Sequence, residues 1–167
     1  MQIRIDEVPL CRTPRPCQRG FTVTELGVTM AAAAILTTIA APSFNNMIAT
    51  QRARTYASAL YATLSKARSE AITLNANVTL QPKAGGWQSG WQILDVNNNV
   101  LDDYTAATGI NVTGFPAQVT YTPSGRLPAG GAAPVFQINT ASGGQVNNQC
   151  VSIDLSGRPY MQAMPAC

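Results

Sequence analysis

Few residue types that catalyse reactions or hold metal ions occur in this chain of 167 residues. The absence of histidine excludes Ser-His-Asp and Cys-His catalysis and histidine-ligated zinc sites. Neither a Walker loop nor a G-x-G-x-x-G pattern is present, so nucleotide sites of those kinds have no support. The adjacent carboxylates Asp102 and Asp103 lie in a predicted polar loop, with no basic residue beside them in the sequence. The sequence therefore predicts a protein that is not an enzyme and that uses neither a cofactor nor a metal ion.

Charge is sparse and unevenly distributed. Charged residues make up 11% of the chain, against roughly 25% in an ordinary soluble domain. The first 20 residues carry four arginines and two carboxylates, whereas the remainder carries seven basic and six acidic residues. This distribution gives only weak support to a surface that binds nucleic acid.

The longest apolar segment covers residues 21–41 and contains one charged residue, Glu25. A helix of that length spans about 30 Å, the thickness of the bilayer core, so the segment predicts a membrane-spanning helix. The basic residues before it would stay in the cytoplasm. A cleaved secretory signal is the alternative, but the segment 42–44 after the apolar run is a poor cleavage site.

The junction Arg19-Gly20-Phe21-Thr22-Val23-Thr24-Glu25 resembles the signal of type IV prepilins. In that family a basic leader ends in glycine, an aromatic residue follows, and glutamate is the fifth residue of the mature helix. Pro42 fits the position of a helix kink that is common in the family. The resemblance implies cleavage between Gly20 and Phe21 by a prepilin peptidase, and N-methylation of Phe21.

Three segments follow from this resemblance. Residues 1–20 are the expected cleaved leader, residues 21–42 the membrane and filament-core helix, and residues 43–167 an amphipathic helix with a β-rich periplasmic head. The expected location is the bacterial inner membrane, crossed once, before incorporation into a pilus or pseudopilus.

Two interpretations of Glu25 are open. An unpaired ionised carboxylate in a bilayer costs a few kcal/mol on insertion scales, and less near the end of the span. Glu25 lies one turn into the helix, so its side chain could simply extend to the headgroups. The interpretation favoured by the resemblance is that Glu25 pairs with the Phe21 amine of a neighbouring subunit, which makes Glu25 and Pro42 assembly residues.

A helical pattern continues beyond Pro42. An apolar stripe with alternating steps of three and four consists of Ala57, Leu60, Leu64, Ala67, Ala71 and Leu74. We predict one helix from about Thr22 to about Asn75, with this stripe buried against a sheet. Its basic residues Arg52, Arg54, Lys66 and Arg68 are interpreted as a solvated flank.

The rest of the chain predicts short strands separated by turns. The predicted strands are 78–81, 91–96, 119–122, 135–138 and 150–155. Residues 127–134 and 140–148 are predicted to be exposed loops. The fold class is α+β, with an antiparallel sheet packed on the long helix.

Several short motifs are similar to those of GspH/FimT-type minor pilins. In chain order they are Ala67-Arg68-Ser69-Glu70-Ala71, Gly86-Trp87, Gly90-Trp91, Ser124-Gly125-Arg126, Cys150-Val151-Ser152-Ile153 and Gly157-Arg158. This resemblance covers nearly all of the chain after the leader and implies the type IV pilin fold. Both tryptophans are interpreted as residues that pack in the core and at its rim, in preference to stacking on a ligand.

Cleavage of the leader would remove Cys11 and Cys17 and leave Cys150 and Cys167. An oxidising exterior favours a disulfide between the two remaining cysteines. The closed loop would contain 16 intervening residues, for which chain entropy gives about 3 kcal/mol. The disulfide would hold the C-terminal tail, residues 158–167.

The resemblance implies a minor pilin that takes part in type IV pilus assembly, in the complex that primes assembly and lies at the tip. The implied partners are other minor pilins, the major pilin, the prepilin peptidase and the inner-membrane assembly platform. An alternative with the same signal and head is a minor pseudopilin of a type II secretion system.

DNA binding for natural transformation is an alternative of another class. Some FimT-like pilins bind DNA through a Gly-Arg-x-Arg motif, and the matching stretch here is Gly157-Arg158-Pro159-Tyr160, with tyrosine replacing the second arginine. Tyr160 could stack on a base, and Arg126 is a further candidate contact. A near-neutral head attracts phosphate weakly, so both arginines can equally be turn-flanking surface residues.

Overall fold

The computed structural model describes residues 20–142 and 145–162. These residues form one long helix, α1 (Val23–Leu74), a short 3₁₀ turn (Trp87–Ser89) and the strands β1 (Val78–Pro82), β2 (Gly90–Leu94), β3 (Val100–Thr105), β4 (Asn111–Thr113), β5 (Val119–Tyr121), β6 (Val135–Ser142), β7 (Gln145–Ile153) and β8 (Pro159–Gln162). The chain divides into two compact units, Met1–Thr38 and Ile39–Cys167.

The first unit contains the start of α1. Every described side chain from 20 to 38 is exposed, including the apolar ones. A helix that is apolar on all sides is expected to be covered by lipid or by other helices. In the described part of the chain, no single helix combines the length and hydropathy of a membrane span; Val23–Thr38 and Ser43–Leu74 do so only as a pair, broken at 39–42.

In the second unit, α1 buries one face. The residues on this face are less than 2% exposed and, apart from the adjacent pair Tyr56 and Ala57, recur every three or four positions: Ala53, Tyr56, Ala57, Leu60, Leu64, Ala67 and Ala71. Five of the six residues in the predicted stripe are therefore confirmed. Leu74 is 47% exposed, so its prediction was wrong. The reason is that α1 ends at Leu74 and Asn75, with a φ of 48°, turns the chain towards β1.

Two antiparallel sheets of four strands, rather than one sheet, contribute to the core with α1. Their strand orders are β3-β2-β1-β5 and β4-β6-β7-β8. In the first sheet Leu80 lies opposite both Ile93 and Val119, and in the second Val151 lies opposite Phe136 and Met161. The predicted α+β class, with a long helix packed on antiparallel strands, is confirmed.

An aromatic cluster joins the helix to both sheets. Trp87 and Trp91 are fully buried, which confirms their predicted core positions. Tyr56 of α1 contacts Trp91 edge-on at 5.1 Å and donates a hydrogen bond of 2.6 Å from its hydroxyl to the Trp87 carbonyl oxygen. Trp87 packs edge-on against Phe136 of β6 at 4.8 Å. Aromatic pairs of this geometry add stabilisation beyond the area that they bury.

The segment 140–148, predicted as an exposed loop, contributes instead to a long hairpin. β6 and β7 pair as far as Ser142 and Gln145. Thr140 is 4% exposed and its hydroxyl donates a hydrogen bond of 3.1 Å to the Ala49 carbonyl oxygen, so a polar residue occupies an inward position. The prediction of a loop at 127–134 is confirmed.

The paired carboxylates lie in the edge strand β3, not in a loop. Asp102 forms an ion pair of 2.9 Å with Lys66 of α1, and Asp103 one of 2.6 Å with Lys83. The hydrogen bond from Lys66 lowers the pKa of Asp102. Charged residues on an edge strand discourage pairing with foreign strands, so these carboxylates have a structural explanation.

Candidate functional site

The expected cleavage junction lies immediately before α1. Gly20 and Phe21 are outside the helix and exposed, and the Phe21 side chain is 85% exposed. The leader residues 1–19 lie outside the described part of the chain. The junction is therefore accessible in the structure, while cleavage and N-methylation stay predictions.

Glu25 has a local role that sequence reasoning missed. Its backbone N–H donates to the Thr22 hydroxyl at 3.2 Å, and the Thr22 backbone N–H donates to Glu25 Oε2 at 3.1 Å. This reciprocal pair is a capping box, which satisfies two backbone donors at the start of the helix. The signal was present in the sequence, because threonine precedes glutamate by three positions at the start of an apolar run. Pairing of Glu25 with a neighbouring subunit stays a prediction.

Two turns with the same Ser-Gly-Arg ending lie in the head, one after β5 and one between β7 and β8. In the first, Thr122 N–H donates to the Arg126 carbonyl at 2.9 Å and Gly125 N–H to the Thr122 carbonyl at 2.8 Å. In the second, the corresponding bonds from Asp154 and Gly157 measure 3.1 and 2.9 Å. Both are three-residue loops with a left-handed glycine in third position. We call 122–126 and 154–158 the paired turns.

The paired turns pack directly against each other. A Cβ on Gly157 would overlap the Gly125 carbonyl oxygen and lie 3.1 Å from the Arg126 Cα. Arg68 of α1 donates a hydrogen bond of 2.9 Å from Nε to the same Gly125 carbonyl. The interpretation of Arg68 as part of a solvated flank was therefore wrong, since this side chain is half-buried and ties the helix to the turns. Lys66 is exposed, as predicted, and also forms the ion pair with Asp102 of β3.

The paired turns bring two arginine side chains to one region of the surface. Arg126 and Arg158 are both exposed, and Tyr160, two residues after Arg158, is 40% exposed. Among the described residues, neither arginine has a carboxylate within 4.0 Å. Hydrogen bonds from the Ser156 hydroxyl and the Arg158 backbone N–H lower the pKa of Asp154, so this carboxylate stays ionised within its own turn.

Cys150 is buried in β7 and disulfide-bonded, while Cys167 lies outside the described residues. Within residues 20–142 and 145–162, no three acidic, cysteine or histidine side chains are grouped so as to hold a metal ion. The C-terminal tail is held more firmly than predicted, because Pro159–Gln162 forms β8 and pairs with β7.

Comparison with known proteins gives a family and a fold. The model of the family described as type II transport protein GspH matches residues 56–157. Two crystal structures of the type IV minor pilin FimU from Pseudomonas aeruginosa are similar, with TM-scores of 0.52 and 0.53 and sequence identities of 22% and 23%. Each match covers 68% of this chain, and 98% and 91% of the FimU chains. No curated protein sequence matches the chain.

The family match spans more than half of the chain and includes α1 from Tyr56, the tryptophan turn, the first of the paired turns and the second as far as Gly157. Pilins and pseudopilins are structural components of filaments and associate with other pilins. This chain belongs to the GspH family and is a GspH/FimT-type minor pilin.

Proposed function

We propose that this chain takes part in priming type IV pilus assembly and stays in the tip complex, without catalytic activity of its own. The observation that carries the proposal is a prepilin-type junction directly ahead of a long helix whose second half supports a GspH-family head. The resemblance of that head to FimU, which is described as a type IV minor pilin, favours a pilus.

The proposed partners follow from the stages of assembly. The prepilin peptidase cuts after Gly20 while the helix crosses the inner membrane once with the head in the periplasm. The assembly platform then moves the chain into a filament with the other minor pilins and the major pilin. The exposed apolar segment 21–38, helical from Val23, supports this course, since it needs lipid or other helices to cover it.

Processing after Gly20 is the first testable step. We predict that mass spectrometry of the membrane-extracted protein shows a chain that begins at methylated Phe21. Gly20→Leu is expected to leave the precursor uncut, and because a Cβ on Gly20 meets no atom within 4 Å, this loss would not reflect misfolding. Gly27→Ala is the matched control, since Gly27 is equally open and lies beyond the junction. A cut after residue 41 would contradict the pilin proposal.

The description of the matched family favours the alternative of a secretion pseudopilus. A strain that lacks the gene for this chain, compared with the same strain complemented with it, separates the two possibilities. A pilus subunit is expected to restore sheared surface pili without changing the proteins in the culture medium. Restoration of protein secretion with unchanged piliation would support the pseudopilus instead.

DNA binding is a second candidate function because the paired turns place Arg126 beside Arg158. Sequence reasoning named Arg158 and Arg126 as separate candidate contacts, and the paired turns make them neighbours. Among the described residues, neither has a carboxylate partner. Tyr160 lies on the adjacent strand and is exposed enough to stack on a base.

The salt dependence of duplex binding tests this candidate on the detergent-solubilised full chain. The double variant Arg126→Gln/Arg158→Gln is expected to lower the slope of log K against log salt by about two, one for each lost phosphate contact. Arg54→Gln, which removes an exposed arginine from α1, is the control. An equal effect of the control and the double variant would exclude the paired turns as the site.

A further inference from the structure

An apolar groove runs between α1 and the segment that joins β3 to β4. Its volume is about 230 Å³. It is lined by Ile48, Gln51, Arg52, Thr55, Tyr56, Tyr104, Ala107 and Ile110. We call it the helix–loop groove. Tyr56 is 1% exposed and Tyr104 stacks on Trp91 at 4.4 Å, so the aromatic floor of the groove is fixed by the core.

Arg52 is the one charged residue of this lining. The side chain reaches the loop opposite α1, since a Cβ on Gly109 would lie 3.4 Å from Arg52 Nη1. Among the described residues, ion pairs within 4.0 Å involve Lys66 and Lys83 but not Arg52. The groove therefore combines apolar walls with an unpaired cation at its rim.

The groove continues an exposed apolar stripe on α1. Phe44 is 62% exposed, Met47 71% and Ile48 48%, and Ile48 is also a wall of the groove. Phe44, Ile48 and Arg52 are spaced by four residues, so they follow one side of the helix. An apolar stripe that ends in arginine is the pattern of a segment at a lipid–water interface, where the cation reaches the headgroup phosphates.

We propose that the helix–loop groove binds an anionic phospholipid of the membrane in which the chain is anchored before assembly. The phosphate lies against the Arg52 guanidinium, and an acyl chain lies along Ile48, Tyr104 and Ile110. This proposal rests on the membrane anchorage stated above and adds a lipid site on the head. The site would hold the head against the membrane until the subunit enters a filament.

The charge of the groove favours a lipid over the apolar helix of another subunit. Residues 21–41 of this chain contain a single anion, Glu25, which lies at the far end of the segment from the head. A helix of that composition would cover the apolar walls. Over most of the length of such a helix, however, there is no anion that could pair with Arg52. A phospholipid supplies both parts, because its phosphate and its chains are joined.

The test uses the full-length chain in nanodiscs of phosphatidylcholine that contain a photoreactive-acyl phosphatidylglycerol or, separately, the same probe on phosphatidylcholine. Labelled peptides are identified by mass spectrometry. Both probes carry a phosphate, but the choline cation of the neutral probe offsets the attraction of its phosphate to Arg52. The anionic probe is therefore expected to label peptides from the groove, including 104–110, about fivefold more than the neutral probe. Equal labelling by the two probes, or labelling confined to residues 21–44, overturns the proposal.

Arg52→Gln and Arg54→Gln form a matched pair, because both arginines are exposed on α1 and only Arg52 lines the groove. Arg52→Gln is expected to reduce groove labelling about fivefold, and Arg54→Gln to leave it unchanged. Equal losses would mean a diffuse attraction to the membrane and overturn the site.

Normal pili in a strain that lacks groove labelling would leave the pilus proposal intact, so failure of the lipid site and failure of the pilus proposal are distinguishable. Crosslinking of an Ala107→Cys variant to the helix of a second subunit inside the membrane would assign the groove to protein instead.

Discussion

Two buried tyrosines show how a single hydroxyl group decides the effect of a substitution. The Tyr56 hydroxyl donates to the Trp87 carbonyl at 2.6 Å, whereas the Tyr121 hydroxyl is buried without a hydrogen-bond partner among the described residues. Burial raises the pKa of both phenols, so each side chain is neutral at physiological pH. They therefore differ mainly in whether the polar atom is satisfied.

We predict that Tyr56→Phe lowers the free energy of unfolding by about 0.5–1.5 kcal/mol, because it removes one buried hydrogen bond while the Trp87 carbonyl oxygen keeps the one that the Gly90 backbone N–H donates. Tyr121→Phe is expected to be neutral or to stabilise by up to about 1 kcal/mol, because it removes a buried hydroxyl that lacks a partner. Urea denaturation of both variants measures the difference. Equal destabilisation by the two substitutions would contradict this assignment of hydrogen bonds.

Gly157 determines how closely the paired turns can approach. Its φ is 82° and a Cβ there would overlap the Gly125 carbonyl oxygen, whereas Gly130, with a φ of 87°, has no atom within 4 Å of its Cβ position. Gly130→Ala is expected to cost about 1–2 kcal/mol for the left-handed backbone alone. Gly157→Ala is expected to cost at least about 2 kcal/mol more, because the turns must separate as well. Thermal denaturation checks this, and similar losses in both variants would show that the turns are not in firm contact.

At the scale of elements, the helix was more predictable than the sheets. The apolar stripe from Ala57 to Ala71 follows the helical repeat over four turns, so its burial could be predicted. β3 could not, because Asp102 and Asp103 look like loop residues until Lys66 and Lys83 are placed beside them. In the β6–β7 hairpin, Thr140 takes a buried position for which an alternating pattern expects an apolar residue.

The C-terminal element changes the expected effect of the proposed Cys150–Cys167 disulfide. Because β8 pairs with β7, residues 159–162 are held by backbone hydrogen bonds independently of the disulfide. We predict that Cys167→Ser lowers the free energy of unfolding by about 3 kcal/mol, because the unfolded chain without the crosslink has more conformational entropy. The amide protons of β8 are expected to stay protected from hydrogen exchange. Free thiols at both positions in the periplasmic protein would refute the pairing.

At the scale of the whole molecule, the candidate sites were predictable where they depend on neighbouring positions in the sequence. The junction at Gly20 and Phe21 and the capping pair of Thr22 and Glu25 are of this kind. The approach of Arg126 to Arg158 and the helix–loop groove depend on distant segments that only the fold brings together. Local motifs therefore indicated how the chain is processed, while its contact surfaces required the structure.

The last prediction separates the two roles now open for Glu25. The capping box needs a hydrogen-bond acceptor at this position, and glutamine supplies one as well as glutamate does. Pairing with the Phe21 amine of a neighbouring subunit needs a negative charge, which glutamine lacks. We predict that Glu25→Gln is processed after Gly20, starts its helix normally and fails to co-purify with the other minor pilins, because the amine in the apolar bundle then has no counter-ion.

Glu25→Ala, which removes both the acceptor and the charge, is the matched comparison and is expected to fail as well. Affinity purification of each variant from a strain that produces all the pilins measures entry into the complex, and piliation measures its consequence. If Glu25→Gln assembles at the wild-type level while Glu25→Ala does not, capping of its own helix is the role of Glu25. If both variants assemble normally, neither role is needed, and extension of the side chain to the headgroups explains the carboxylate.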